Sequence, residues 1–238
     1  MNKNKIINYW NKRATSFSKD KQAELKSVHA ERWLSEINQI ITIEPGMKIL
    51  DIGTGAGFLA ILCQQQGAQV TGIDLSPEMI QSAKQNALRF NINVNFQVMD
   101  AEHLHFDDAY FDLVISRNVT WLLPDTKAAY QEWLRVLKPN ATLINIDGDY
   151  GNDAFTDYSD IPNHHAHHTL GDTMLAESEN IKQSISINHY DRPQYDLNIL
   201  KQINTKPIHV DTTIHKRIYQ SHDEFYNPTP IFLIALTK

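Results

Sequence analysis

The chain has 238 residues, of which 42% are hydrophobic, enough to bury the core of one α/β domain. Twenty-two basic side chains against 28 acidic ones give a net charge of −6, and the basic residues form no patch. This argues against a dedicated nucleic-acid binder, whose affinity comes largely from neutralising phosphates. The single cysteine, Cys63, excludes an internal disulfide and a cysteine-rich zinc cluster, and reads as part of a core helix.

The opening stretch MNKNKIINYWNKRA lacks the apolar core of a signal peptide, and no apolar run reaches the length of a membrane span. A cytoplasmic protein with no membrane partner is expected. Residues 5–41 read as helical, with Ser18 as a plausible N-cap and Ala23, Leu25, Val28, Trp33, Leu34 and Ile37 forming the apolar face of the longer segment. Before it, the Tyr9-Trp10-x-x-Arg13-Ala14-x-x-Phe17 cluster is dense for a terminus.

Lys48 to Ile52 is an apolar, β-branched run after Pro45-Gly46, so it predicts a short buried strand. Gly53, Gly55 and Gly57 then supply a hard turn, and Phe58, Leu59, Ile61 and Leu62 start a helix. A strand, a glycine turn and a helix N-terminus in that order form a nucleotide site. Gly55-x-Gly57-x-x-Ala60 also satisfies the loose dinucleotide pattern, but Asp51 stands where a pyrophosphate would lie, and like charges there would repel. A cofactor carrying an ammonium and a sulfonium would be attracted instead, which favours S-adenosylmethionine (SAM) over NAD.

Gln69 to Ile73 predicts a second strand ending in Asp74, about 20 residues after Asp51, the interval at which such folds set an acid against ribose hydroxyls. After Leu75, Ser76 can cap the next helix with Pro77 at its first position. Met79, Ile80, Ala83 and Ala87 keep helical spacing, so Met79 is core or a floor for an adenine. Asn93 to Val98 alternates as a third strand, followed by Asp100-Ala101-Glu102. Phe106 to Ile115 runs into a fourth strand that ends at Ser116-Arg117-Asn118, and side chains at such carboxyl ends face the cleft of an open α/β sheet. Asp125 to Leu137 predicts a helix, then Leu137-Lys138-Pro139-Asn140-Ala141 a turn before a fifth strand, Thr142 to Ile146. A helix from Arg192-Pro193 to about Ile203, a sixth strand over Ile208 to Tyr219 and a seventh over Ile231 to Leu236 complete the pattern.

The motif MKILDIGTGAGF, the run Phe106 to Ile115 and the LKPNA turn resemble the class I SAM-dependent methyltransferases of small-molecule type, over roughly residues 47–147. The resemblance implies a Rossmann-like, doubly wound, seven-stranded sheet, mostly parallel, with an antiparallel last strand inserted between the fifth and sixth. It also implies one domain: an N-terminal helical cap (1–45), a SAM-binding core (46–147), an insertion (148–190), and a C-terminal helix and strands (191–238). The implied cofactor set is Asp51, Gly53, Thr54, Gly55, Gly57, Asp74, Leu75, Met79, Asp100, Ala101, Glu102 and Arg117. Asp100 would accept from the adenine amine, and Tyr9, Arg13 and Phe17 on the covering N-terminal helix would close the pocket or anchor it. Asn140 tolerates the left-handed conformation the family's turn needs; Ala141 suggests a slightly different turn.

Acceptor contacts are expected at the ends of the fourth and fifth strands, from Asn118 and Trp121 and from Tyr150, with Asp149 a weaker candidate. No catalytic residue is assigned, because a methyl group on a sulfonium is already activated and a base is needed only if the acceptor must lose a proton. Residues 147–190 lose periodicity and are too long for an ordinary connection, so a lid over the acceptor is expected. His164, His165, His167 and His168 within it offer imidazoles to a metal, but a solvated lid is the preferred reading and no metal is expected. The expected partner is a small-molecule methyl acceptor. Transfer of an aminopropyl group, non-catalytic SAM binding and NAD-dependent oxidoreduction remain alternatives.

Overall fold

The computed structural model describes residues 3–156 and 170–238. Seven strands, β1 (Lys48–Ile52), β2 (Gln69–Asp74), β3 (Asn95–Val98), β4 (Phe111–Arg117), β5 (Leu137–Gly148), β6 (Ile208–Asp211) and β7 (Ile231–Thr237), form one sheet in the order β3-β2-β1-β4-β5-β7-β6. The first five pair in parallel, and β7 runs antiparallel between β5 and β6, as expected.

Alternation along the strands builds two cores. Ile49, Leu113, Ile115, Ile144 and Ile146 face one layer, and Leu50, Ile52, Val114 and Leu143 the other. The first layer is covered by α2 (Val28–Ile40), α3 (Phe58–Gln65), α4 (Pro77–Arg89) and the short α8 (Ile214–Ile218); Trp33, Ile37, Ile80 and Ala83 fill it, and Cys63 is buried there. The second is covered by α5 (Thr126–Val136) and α7 (Gln194–Ile203), through Tyr130, Trp133, Ile199 and Leu200. Ser76 caps α4, accepting from Met79 N at 3.1 Å with Pro77 at the first turn, and Asp125 caps α5.

Three expectations need correction. Ser18 caps nothing: α1 runs unbroken from Lys3 to Glu24, and Ser18 is buried mid-helix, donating to Asn86 Oδ1 on α4 at 3.1 Å. The break falls at residues 25–27, where Ser27 Oγ accepts from His29 N at 3.1 Å and starts α2. Nor does the sixth strand reach Tyr219. Asp211 Oδ1 accepts from both Thr213 N and Thr213 Oγ1 at 2.7 Å, an Asx turn that ends β6, and Ile214 and Ile218 are then buried four residues apart as one helical face. The fifth strand begins earlier than expected, at Leu137, with a register shift opposite residues 111–113 and with Asn140 left-handed at φ +65°.

The described part of the insertion is helical. A 3₁₀ turn (Tyr150–Asn152), α6 (Asp172–Gln183) and a second turn (Ser186–His189) follow β5, and Ile181, Ile185 and Ile187 pack on Ile6 and Tyr9 of α1. His164, His165, His167 and His168, with their lid or metal reading, lie outside the described residues.

Below this insertion the sheet carries a buried ion network. Arg192 donates through Nε and Nη2 to Asp196 at 2.8 and 2.9 Å, through Nη2 to Thr120 Oγ1 at 2.5 Å and through Nη1 to the Gly148 carbonyl at 3.1 Å, with Asp147 3.6 Å away. Tyr130 donates to Asp196 at 2.7 Å and accepts from Asn145 at 2.9 Å. Arg192, Asp147 and Asp196 are fully buried in their side chains. Removing one partner strands the rest, so Arg192→Met is expected to lower unfolding free energy by about 3–5 kcal/mol. Denaturant titration is the check, and a loss under about 1 kcal/mol would mean the guanidinium does not offset those carboxylates.

Candidate active site

A cavity of about 330 Å³ opens where β1, β2, β3 and β4 end, roofed by α1 and by the segments around residues 150–155 and 219–228. Its floor is the glycine turn. Gly53 and Gly55 take φ of +64° and +53°, and a Cβ would meet Val119 Cγ2 at 2.2 Å on Gly53 and Phe17 Cε1 at 3.0 Å on Gly55. Only glycine gives that conformation and clearance together. The turn is held from below by Asp51, whose Oδ2 accepts from Thr54 Oγ1 at 2.6 Å and Ala60 N at 3.1 Å. Burial pushes the Asp51 carboxyl up to about 7, against the pull of those two bonds.

Asp74 is more occupied than the sequence suggests. Its Oδ2 accepts from Gly55 N at 3.0 Å and its Oδ1 from Ser76 N at 2.9 Å, and burial raises it to about 6 despite these donors. With the Leu75 backbone also donating to it, the carboxylate still has acceptor capacity left for a ribose hydroxyl. At the end of β3, Asp100 receives Lys3 Nζ at 2.5 Å and Glu102 N at 3.0 Å; burial works to raise its carboxyl, but Lys3 above all holds it below the usual range. Leu75, Met79 and Ala101 also line the cavity, with Met79 both lining and buried.

Two residues of the expected set stand outside the lining. Gly57 caps α3 and packs against Phe96 and Ala83, and Glu102 turns away to accept from Asp125 N at 2.8 Å and to pair with Lys3. Arg117 does line the cavity, yet its guanidinium is committed. It bonds Glu24 twice, at 3.0 and 3.2 Å, and lies 4.6 and 4.5 Å from the ring centres of Trp33 and Phe58. Burial would raise the Glu24 carboxyl, but Arg117 and Lys21 outweigh it and bring it to about 2.

The roof follows the strand ends in order. Along α1, Lys3 reaches Asp100, Asn11 accepts from Ser76 Oγ at 2.6 Å, and Phe17 lies on Gly55, while Tyr9 and Arg13 are buried and line the cavity. Arg13 Nη1 donates to Ser16 Oγ at 2.5 Å.

Asn118, Trp121 and Tyr150 come together at the other end. Asn118, left-handed at φ +59°, accepts from Tyr150 OH at 3.1 Å, and its carbonyl accepts from Trp121 Nε1 at 3.1 Å. The rings of Trp121, Tyr150 and Phe155 pack in a triangle with centroids 5.3, 5.6 and 5.8 Å apart. Asp149 stands outside the lining. The sequence reading missed the stretch from Tyr219 to Pro228, whose Tyr219, Glu224, Phe225, Tyr226, Asn227 and Pro228 all line the cavity. It is pinned to α2 by His29 Nε2 and Asp223, 2.9 Å apart.

Three carboxylates at successive strand ends and a glycine cradle fit an adenosyl cofactor with a cationic amino-acid end. A family model described as a methyltransferase domain matches residues 43–210. The ubiquinone biosynthesis O-methyltransferase of Coxiella burnetii is 34% identical over 111 residues, covering 47% of each chain. An uncharacterised protein of Mycobacterium tuberculosis is 35% identical over 101 residues, 42% of this chain and 37% of that one. The chain thus matches less than half the length of these curated relatives. Among solved structures, a SAM-dependent methyltransferase of Mesorhizobium loti superposes with TM-score 0.61 at 18% identity, covering 86% of this chain and 96% of that one. Phosphoethanolamine N-methyltransferase 2 of Haemonchus contortus, bound to SAM, superposes at 0.60 with 19% identity over 86% of this chain and 51% of that one. At such identities the structures speak for the fold alone, while the family match spans well over half the chain: it belongs to the class I SAM-dependent methyltransferases.

Proposed function

We propose that the chain transfers a methyl group from SAM to a small molecule bound against Asn118, Trp121 and Tyr150. The observation that carries this reading is the continuity of the cavity from the three strand-end carboxylates to the aromatic wall. When bound, SAM supplies a methyl group on a positively charged sulfur, open to in-line displacement, so alignment and exclusion of water are the protein's main tasks.

In this reading Asp74 holds the ribose, Asp100 the adenine end and Asp51 the cationic end, with Arg13 beneath the roof suited to the cofactor's carboxylate. Phe17 and the Trp121–Tyr150–Phe155 triangle exclude water from the two sides. No helix among the described residues is long and apolar enough to cross a membrane, which agrees with an acceptor taken from water. A screen of candidate metabolites with methyl-labelled SAM tests the reading; label transfer to a small molecule supports it, and transfer only to macromolecules overturns it.

Asp74→Ala removes acceptors worth about 1.5–3 kcal/mol per bond to a charged group and also releases Gly55 N. SAM affinity measured by calorimetry is expected to fall at least roughly tenfold; an unchanged affinity in the folded variant would falsify the assignment.

Asp51 also sets a pH dependence. Its carboxyl titrates at about 7, so below that pH it is mostly neutral, and a cationic cofactor selects the ionised form. SAM affinity is expected to rise from about pH 6 to about pH 8, with proton release on binding near neutrality. Calorimetry in two buffers of different ionisation enthalpy measures that release, and Asp51→Asn is expected to flatten the profile. Uptake of a proton on binding would contradict the role.

A further inference from the structure

The reading above leaves the acceptor open, and the charges around the cavity narrow it. Four cationic side chains line it, Lys3, Arg13, Lys21 and Arg117. Each has a partner: Asp100 and Glu102 hold Lys3, Ser16 takes Arg13, and Glu24 takes both Lys21 and Arg117. The acids Glu24, Asp51, Asp74 and Asp100 are likewise hydrogen-bonded. Asp20 and Glu224 differ. Both line the cavity, and neither has a hydrogen bond or ion pair among the described residues.

These two acids come from different parts of the roof, Asp20 from the last turns of α1 and Glu224 from the segment before β7. Burial raises the Asp20 carboxyl, with Glu24 and Glu224 adding to the rise and Arg13 and Lys21 opposing it. Phe17, Trp121, Tyr150, Phe225 and Tyr226 line the same cavity. Aromatic faces and unpaired carboxylates both attract a cation. Lys3, Lys21 and Arg117 are paired with carboxylates, and in the methyl-transfer reading Arg13 serves the cofactor's own carboxylate, so a phosphate or carboxylate on the acceptor would compete for a cation already assigned.

We propose that the acceptor is an amine on an apolar or aromatic body, that Asp20 and Glu224 draw in its ammonium, and that Asp20 removes the proton. This inference rests on the methyl-transfer reading. The proton moves from nitrogen to an Asp20 carboxylate oxygen, and the electron pair of the broken N–H bond stays on nitrogen as the lone pair of a neutral, nucleophilic amine. Asp20 is thereby a catalytic residue, and Glu224, exposed at the rim, an attractor.

The test uses the full chain saturated with S-adenosylhomocysteine, the demethylated cofactor, titrated calorimetrically with matched probes. 2-Phenylethylamine, 2-phenylethanol and 3-phenylpropanoate share a body and differ in charge; indole and cyclohexyl series repeat the comparison. In at least one series the amine is expected to bind roughly tenfold more tightly than the alcohol and the carboxylate. Asp20→Asn is expected to bring amine and alcohol within about threefold while S-adenosylhomocysteine affinity stays within about twofold, and Glu224→Gln to weaken the amine less. An alcohol or carboxylate that binds as well as the amine, no amine binding in any series, or a preference that survives Asp20→Asn overturns the proposal. So does a large loss of S-adenosylhomocysteine affinity in Asp20→Asn, which would assign the acid to the cofactor. Failure of the wild type to bind SAM or S-adenosylhomocysteine at all is a separate result, and it overturns the methyl-transfer reading itself.

Discussion

One carboxylate oxygen fixes the geometry on which the cavity depends. Asp51 Oδ2 ties the end of β1 to the turn through Thr54 Oγ1 and to the first turn of α3 through Ala60 N. The turn so held presents Gly55 N to Asp74, Asp74 holds Ser76 N, and Ser76 Oγ reaches Asn11 on α1. A single chain of hydrogen bonds therefore runs from the centre of the sheet to the roof, and each link places the next backbone group. The cost is a buried carboxylate whose ionisation is displaced toward neutrality. That displacement makes the structural tie a charge-sensitive one, since a cation in the cavity stabilises the form of Asp51 that best accepts both donors.

Most of the strand-end geometry around the glycine turn was legible in the sequence because its determinants are local. Gly53 and Gly55, and Ser76 before Pro77, each act within a few residues, and the structure keeps all of them. The misreadings share a different cause. Ser18 reads as a cap from its local sequence, but it packs against Asn86 inside α1, and Ser27 caps the next helix instead. Between Ile208 and Tyr219 the apolar residues suit a strand as well as a helix, and the choice is made by Asp211 turning onto Thr213. Glu102, which the resemblance puts in the cofactor set, is paired with Lys3 from the far end of the sequence. Arg117 keeps its place in the lining with its guanidinium already taken by Glu24.

The stretch from Tyr219 to Pro228 was missed for a topological reason that was itself available. Parallel strands bring their carboxyl ends to the cleft, so acceptor contacts are expected from the fourth and fifth strands and from the insertion that follows. An antiparallel strand in the same sheet brings its amino end there instead. Once β7 is inserted antiparallel beside β5, the residues preceding Ile231 must arrive at the same edge as Asn118 and Gly148. The aromatic content of Tyr219, Phe225 and Tyr226 was then the remaining clue, and it needed no long-range contact to be noticed.

The two ends of the cavity are held by different kinds of structure. Where β1, β2 and β3 end, Asp51, Asp74 and Asp100 sit on strand termini or in the turns that leave them, so their spacing is set by the sheet. The aromatic end of the cavity joins three separated segments, and the buried Arg192 network fixes one side of it. Arg192 bonds Thr120 and the Gly148 carbonyl, Asp147 accepts from Trp121 N, and Asn188 holds the Trp121 carbonyl. The Trp121–Tyr150 wall is thus locked into the sheet by partners that water cannot replace. Asp20 and Glu224, which line the same cavity, have no hydrogen bond or ion pair among the described residues. Under the proposed reading, an acceptor in this cavity is positioned by the rigid aromatic wall and held by charge at Asp20 and Glu224.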